Sequence, residues 1–519
     1  MPPPGYSPTP QVLYSGTMIS HSLHELAQIV GGTIVNDGDA TLECHSVTAS
    51  SSHVEPGALF VAIRGFSVDG HAFVSDAFAR GALAAVVEDA HALGGKPGIV
   101  VSGSRSALSR LAAAFHGDPS TRMRVVGITG TNGKTTTNWI VYQLLHHMGE
   151  GALRIGTLGS EYLGGNRRDG GLTSPDPLSI HSLLAEAERA GARSCVMETS
   201  SHALDQSRLD DVEFDVGVFT NLTRDHLDYH QTFENYFAAK RKLFTLLSRG
   251  AKGTKAAVVN IDDPHGLKLM GELRALGLYD WSFGSSDNAA IRISSIREVG
   301  TGMVFSLHVR DSSEIFDVNA PFIGRHNAEN VVAAFASCMA LGYRPEAILK
   351  ALPLIAQVPG RLERVGTSGP RVFVDYAHTP DALERALIAV RPSTEGKLWV
   401  VFGCGGDRDR GKRPEMGAIS ARVADEVVVT SDNPRTEVPE KIIEDILASG
   451  VQARVVDVDR RAAIGAAISQ AAPGDTIVIA GKGHEDYQII GKEKLPFSDQ
   501  EVALAFLSGL KSFKEVRQN

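Results

Sequence analysis

The run VVGITGTNGKTT, residues 125–136, constrains the architecture of this chain more than any other segment. An apolar stretch passes through Gly127, Gly130 and Gly133 into Lys134-Thr135-Thr136. Trp139, Ile140, Val141, Leu144 and Leu145 then fall at helical spacing. The order is strand, glycine-rich turn, helix. Glycines let the backbone curl so that several N–H groups face one phosphate group, and the helix adds its positive N-terminal end. Lys134 is placed to reach the β- and γ-phosphates, and Thr135 to ligate Mg²⁺. The strict phosphate-loop pattern has glycine at position 128, where this chain has Ile128. The order of parts is intact, so a nucleoside triphosphate site is expected at Gly130, Thr131, Asn132, Gly133, Lys134, Thr135 and Thr136.

A chain of 519 residues exceeds one ordinary core, so two to four domains are expected. Hydrophobic content of 43%, charged content of 21% and 53 glycines fit a loop-rich α/β protein. A formal charge of −9 argues against a surface that coats nucleic acid. Cys44, Cys195, Cys338 and Cys404 show no metal-ligand spacing and read as reduced, buried thiols of a cytoplasmic protein. No apolar run is long enough to span a bilayer. The start MPPPGYSPTP reads as a disordered tail and not as a signal peptide.

Three sections are expected. Residues 1–121 carry strand-like runs at 31–35, 58–62, 84–87 and 98–101 and a helical stretch at 105–116, with no convincing catalytic set. Residues 122–358 begin at the phosphate loop and offer strands at 194–198, 215–220, 256–260 and 304–309, an alternation that predicts a mostly parallel sheet covered by helices. Residues 359–519 form a second α/β unit with strands at 371–375, 398–402, 426–430, 454–457 and 476–480. Pockets in such sheets form at the carboxyl ends of strands, where the polar motifs of this chain fall.

In the middle section Glu198 ends a strand, next to the phosphate loop, and is a candidate holder of Mg²⁺ or its water. His226 follows the next strand and is a second candidate ligand, although solitary histidines commonly serve only as hydrogen-bonded structural groups. Lys240 falls on a helical stretch whose lysines ordinarily sit at the surface. Asn327 and Asn330 share a helical face ahead of the apolar helix 331–340, and suit an adenine edge or a backbone cap equally.

Four strand ends of the last section carry Asp375-Tyr376-Ala377-His378, Asp407-Arg408-Asp409-Arg410, Asp432-Asn433-Pro434-Arg435 and Gly481-Lys482-Gly483-His484-Glu485. Such a rim matches a zwitterion. Arg435 and Arg408 can hold a carboxylate through forked hydrogen bonds, and Asp432 and Glu485 an ammonium. An ATP site together with a separate zwitterion-binding domain favours ATP-coupled joining of a carboxylate to an amine. The competing class is a non-ligating phosphate-loop NTPase, acting as a switch or binding module.

The fragments GTNGKTT, METSSHAL, TNLTRDHLDYH, GRHNAEN, PGRLE, DYAHTPDAL, GGDRDRGKRP, SDNPR and GKGHEDYQ occur in this order between residues 130 and 488. In them the chain resembles the Mur ligases of peptidoglycan synthesis, over essentially residues 20–505. The resemblance implies three α/β domains: an N-terminal one for a UDP portion, a central ATPase, and a Rossmann-like C-terminal one for an amino acid. It implies ATP-dependent addition of meso-diaminopimelate to the D-glutamate γ-carboxylate of UDP-MurNAc-L-Ala-D-Glu through an acyl phosphate. The lysine-adding reaction or another Mur step is the nearest alternative.

By the same resemblance Lys134 steadies the transferring phosphoryl group, and Thr135, Glu198 and His226 serve Mg²⁺. Lys240 matches a lysine that carries a carbamate and so becomes an anionic oxygen ligand. Asn327, Arg361, Asp375 and His378 match the ATP-handling set. Thr173, Ser174, Ser200, Gln206 and Arg208 match residues at the muramoyl-dipeptide end of the acceptor. Arg408, Asp432, Asn433, Arg435, Gly481 and Glu485 match the amino-acid subsite. Ser46 matches a uridine contact, but His45-Ser46-Val47 stands where Asp-Ser-Arg is commoner, so the charged contacts of that pattern are not expected.

Overall fold

The computed structural model describes residues 18–36, 42–65, 68–162, 166–168, 171–273, 275–299 and 302–516; the Pro-rich start lies outside the described residues. The chain divides into two compact units. One holds residues 1–292, 309–311 and 332–351; the other holds residues 293–308, 312–331 and 352–519.

Besides a two-stranded pairing of His21–Ser22 with Glu43–Cys44, the first unit contains two larger sheets. The smaller runs in the order Thr33–Val35, Gly98–Val100, Ala84–Val87, Ala58–Val61, Ser46–Thr48. It is parallel except for Thr33–Val35. Ala58–Val61 and Ala84–Val87 are buried throughout, as parallel strands covered on both faces must be. Leu59, Val61 and Val86 enter one core, while Phe60, Ala85 and Val87 enter the other, following the two-residue alternation of a strand. Ser22 and Glu25 form a capping box at helix Leu23–Val30, which ends on the left-handed Gly31.

The larger sheet has eight strands in the order Asn166–Arg168, Gly159–Tyr162, Ala152–Gly156, Ser194–Glu198, Arg124–Thr129, Val216–Phe219, Ala256–Val259, Tyr279–Asp280. Six are parallel, and an antiparallel hairpin closes one edge. The phosphate-loop strand lies between Ser194–Glu198 and Val216–Phe219, with Ile128 opposite Glu198 and Thr129 opposite Phe219. This register delivers Glu198 and Thr220 to the edge where the loop begins. Segment 304–309 does not join the sheet. Strand Gly302–Val309 pairs antiparallel with Ile315–Ala320 in a separate sheet. Its buried Met303, Phe305 and Leu307 alternate with less buried neighbours, the signature of a one-sided antiparallel strand and not of a buried parallel one.

The second unit is built on a six-stranded sheet in the order Glu363–Val365, Arg371–Asp375, Thr476–Ala480, Leu398–Phe402, Glu426–Thr430, Val455–Asp457. Only Glu363–Val365 runs antiparallel. Val400 and Phe402 face one core, Trp399 and Val401 the other. The four polar strand ends read from the sequence therefore share one rim, as expected. A hairpin of Tyr487–Ile490 and Glu493–Pro496, without an antecedent in the sequence reading, follows the last of them. Among the described residues no helix is long and apolar enough to cross a membrane.

Candidate functional site

In the first unit the phosphate loop is shaped by what stands behind it. A Cβ on Gly130, at φ 152°, would lie 1.8 Å from Thr220 Oγ1. Gly133 caps helix Lys134–His147 at φ 85°. Both positions adopt these positive φ values at little conformational cost only because they are glycine. Asn132 N donates to Asn221 Oδ1 at 2.9 Å, and Thr220 Oγ1 donates to Asn132 O at 2.6 Å. Thr131 Oγ1 lies 3.2 Å from the Tyr236 hydroxyl. The loop is thus fixed from the 220–223 segment and the helix Phe233–Arg249.

Lys134 Nζ donates to Gly130 O at 2.9 Å and Thr131 O at 2.8 Å. Lys240, on a helical stretch whose lysines ordinarily sit at the surface, is instead 1% exposed, and its Nζ donates to the same Gly130 O at 2.6 Å. Its helix buries Tyr236, Phe237, Leu243 and Phe244 on the same side, so helical periodicity carries Lys240 inward. Burial first and the Lys134 ammonium second hold its pKa well below the ordinary lysine value, opposed by Asp225.

Glu198, also 1% exposed, is held at both carboxylate oxygens. Thr157 N donates to Oε1 at 2.8 Å, Thr157 Oγ1 to Oε2 at 3.0 Å, and Thr135 Oγ1 to Oε2 at 3.1 Å. A Cβ on Gly156 would stand 2.2 Å from Glu198 Oε1, so the strand end is hollowed for the carboxylate. Thr157 was absent from the sequence reading. Its signal was the Gly-Thr-Leu-Gly turn at residues 156–159 that ends the strand Ala152–Gly156.

The candidate acceptor residues join this carboxylate in one network. Thr157 Oγ1 lies 3.1 Å from Thr173 Oγ1. Ser174 Oγ donates to Glu198 O at 2.8 Å and accepts from Ser200 N at 2.9 Å. Arg208 donates to Ser174 O at 3.0 Å and to Gln206 Oε1 at 2.6 Å. His226 stands in a left-handed conformation, φ 52°, with its ring 4.8 Å from that of His202. Loss of hydration lowers its pKa, Asp225 opposes this, and Lys134 and Lys240 add to the lowering. His202 is brought down to about 4 by burial and then by His226. Neutral imidazoles can act as ligands.

Thr135 and Glu198 offer the hard oxygens that Mg²⁺ takes when phosphate and water complete its shell. No group of three or more His, Cys, Asp or Glu side chains gathers around a cation position among the described residues. A lysine ammonium only donates and cannot itself ligate a cation. In the N-terminal sheet Ser46 sits on the edge strand paired with Ala58. Its neighbour His45 bonds Ser20 Oγ at 2.8 Å.

In the second unit Phe322, Ile323, Asn327, Val358, Arg361 and Phe373 line a small pocket. The helix there begins at Arg325, six residues ahead of its expected start. Asn327 and Asn330 lie within it, and Asn330 Nδ2 donates to Asn327 Oδ1 at 3.1 Å. Asp375 accepts from Leu362 N at 2.7 Å and Ala377 N at 2.8 Å. Burial raises its pKa, against Arg361 and those two N–H groups. The Arg361 guanidinium lies 4.7 Å from the Tyr376 ring centroid, and His378 Nδ1 lies 2.9 Å from Tyr376 O. Asp375 thereby anchors the turn that carries Arg361.

On the rim, Arg408 and Arg435 flank Gly405. A Cβ there would lie 2.9 Å from Arg435 Nη1 and 3.7 Å from Arg408 Cγ. Arg435, at φ 51°, is gripped by the late hairpin: its N donates to Ile489 O at 3.1 Å and its O accepts from Gly491 N at 2.7 Å. Its Nη1 donates to Gly406 O at 2.9 Å. Gly481, at φ 119°, would put a Cβ 3.2 Å from Asp432 Oδ2. Asp432, Asn433 and Glu485 do come together, but around a residue the sequence reading gave no role. The fully buried Lys482 Nζ lies 3.5, 3.0 and 3.1 Å from their respective side-chain oxygens. Arg460, buried with Asp499, donates to Ser431 O and Ala480 O behind the rim.

Three domain families match in sequence: the Mur ligase family catalytic domain over residues 43–116, the Mur ligase middle domain over 128–338, and the Mur ligase glutamate ligase domain over 360–483. The chain belongs to the Mur ligase family, a family of phosphate-loop ligases. It is 48% identical to a UDP-N-acetylmuramoyl-L-alanyl-D-glutamate–2,6-diaminopimelate ligase of Thermosynechococcus vestitus, covering 89% of this chain and 92% of that one. A ligase of the same name from Geobacter sulfurreducens is 42% identical, over 93% and 98% of the two chains. A solved structure of such a ligase matches with a TM-score of 0.70 at 31% identity, covering 95% of this chain and all (100%) of that one. Folylpolyglutamate synthase of Mycobacterium tuberculosis shares the fold, with a TM-score of 0.60 at 19% identity over 73% and 92% of the chains.

Proposed function

We propose that the protein is an ATP-dependent amide ligase that adds meso-diaminopimelate to the D-glutamate γ-carboxylate of UDP-MurNAc-L-Ala-D-Glu, releasing ADP and phosphate. The observation that carries this reading is the match at 48% identity along 89% of the chain with a 2,6-diaminopimelate ligase. The local chemistry supports it.

The phosphate loop binds the nucleotide's phosphates through its N–H groups, and Lys134 neutralises charge on the group in transfer. Thr135 and Glu198, with His226 and a carbamylated Lys240, would hold Mg²⁺, which would supply Lewis-acid stabilisation of the phosphates. Lys240 suits carbamylation because burial favours the neutral amine, whose lone pair attacks CO₂, over the ammonium. Asn327, Arg361, Asp375 and His378 handle the nucleotide. Thr173, Ser174, Ser200, Gln206 and Arg208 hold the acceptor peptide so that its carboxylate attacks the terminal phosphorus, and Ser46 contacts the uridine end. The acyl phosphate so formed is attacked by the amine of the incoming amino acid. Arg408 and Arg435 pair its distal carboxylate, while Asp432, Asn433, Gly481 and Glu485 receive an ammonium. Lysine lacks that carboxylate, so the two arginines discriminate against it.

Both small substrates and ATP are cytoplasmic metabolites, and Cys44, Cys195, Cys338 and Cys404 are free and buried; the cytoplasm is the compartment proposed. The test is mass spectrometry of the product formed from UDP-MurNAc-L-Ala-D-Glu and ATP with diaminopimelate or lysine. A diaminopimelate adduct is expected. ATP hydrolysis without amide formation would refute the reading.

A further inference from the structure

Lys482 is the second residue of the turn after strand Thr476–Ala480, is 0% exposed, and meets side chains from two loops. Its Nζ donates to Asn433 Oδ1 at 3.0 Å and to Glu485 Oε2 at 3.1 Å, and lies 3.5 Å from Asp432 Oδ1. An ammonium only donates, so it determines which end of the Asn433 amide it meets. Asn433 Oδ1 is taken by Lys482 and by Ile489 N, 2.9 Å away. The amide nitrogen is left for Glu485 Oε2, at 2.9 Å. One ammonium among two carboxylates also leaves one negative charge in excess, because Arg460, a further buried cation that acts on both carboxylates, is paired with Asp499; this is the complement of a single ligand ammonium.

The geometry points to Lys482 as a positioning residue for the incoming amino acid. It orients the Asn433 amide and the Glu485 carboxylate and sets the charge of the cluster that receives one ammonium of the diamino acid. This rests on the function proposed above and assigns the residue on which that subsite is assembled.

The experiment compares Lys482→Met, Asn433→Ala and the double variant with the wild-type enzyme, using whichever amino acid the wild type joins. KM is measured for the amino acid, ATP and the UDP-linked acceptor, with thermal melting alongside. Lys482→Met is expected to raise the amino-acid KM roughly tenfold to a hundredfold, the range for hydrogen bonds to charged groups. The other two KM values should stay within about threefold. The double variant should cost less than the sum of the single ones, because each breaks the same arrangement. Equal losses at all three substrates, strict additivity, or loss of the folded state would overturn the assignment. A wild-type enzyme that joins no amino acid would refute the proposed function instead, and only the variants bear on Lys482.

Discussion

Thr157 grips Glu198 at both carboxylate oxygens, by its backbone N–H at 2.8 Å and its hydroxyl at 3.0 Å, while the hydroxyl lies 3.1 Å from Thr173. One side chain therefore touches both the magnesium candidate and the acceptor candidate. Thr157→Val keeps the shape and the backbone bond but removes the hydroxyl. The expected result is a rise of roughly tenfold in the Mg²⁺ concentration for half-maximal activity, from loss of one charge-assisted hydrogen bond. A magnesium titration at saturating ATP checks it.

Lys240 has a folded-state pKa far below its ordinary one, because burial and Lys134 disfavour the ammonium. The unfolded chain then binds more protons than the folded one between those two values, so stability rises with pH across that window. The contribution is complete above the ordinary lysine pKa and fades as pH falls toward the folded one. In CO₂-free buffer, thermal melts should show wild type gaining on Lys240→Met as pH increases. With labelled CO₂, wild-type protein should carry label on the peptide containing Lys240.

Arg435 donates to the carbonyl of Gly406 and forms no ion pair among the described residues, leaving its charge for a ligand. Arg435→Ala should cost about 2–4 kcal/mol in kcat/KM for diaminopimelate if the ligand carboxylate is desolvated, and far less for lysine. Steady-state kinetics with the two amino acids decides it.

Arg460 and Asp499 are both 0% exposed and paired at 2.6 Å. Removing one partner leaves the other charge buried. Arg460→Met should destabilise the second unit by about 3–5 kcal/mol, and Arg460→Met with Asp499→Leu by less. Urea unfolding followed by the Trp399 fluorescence of that unit measures both.

The parallel strands were legible because burial on two faces leaves continuous apolar runs, as at Val125–Val126 and Trp399–Phe402. The phosphate loop was legible because glycine marks backbone that nothing else adopts cheaply. The strand Gly302–Val309 was seen but placed in the wrong sheet, since alternation reveals a covered face and not the partner that covers it. Thr157 and Lys482 escaped for another reason. Each matters through side chains distant in sequence, and neither threonine nor lysine carries a local mark of burial. The left-handed backbones of His226, Leu362, Asp407 and Arg435 were equally silent, because a non-glycine residue held there by its neighbours looks ordinary in sequence.

The guanidinium of Arg460 reaches the carbonyls of Ser431 and Ala480 at 3.3 and 3.0 Å, although the strand Leu398–Phe402 runs between those two. The loops beginning at Asp432 and Gly481 are therefore yoked beneath the surface. A small inhibitor that engages one of them meets a partner already in place and owes no ordering entropy for the other, so compact rigid compounds gain more from this rim than long flexible ones.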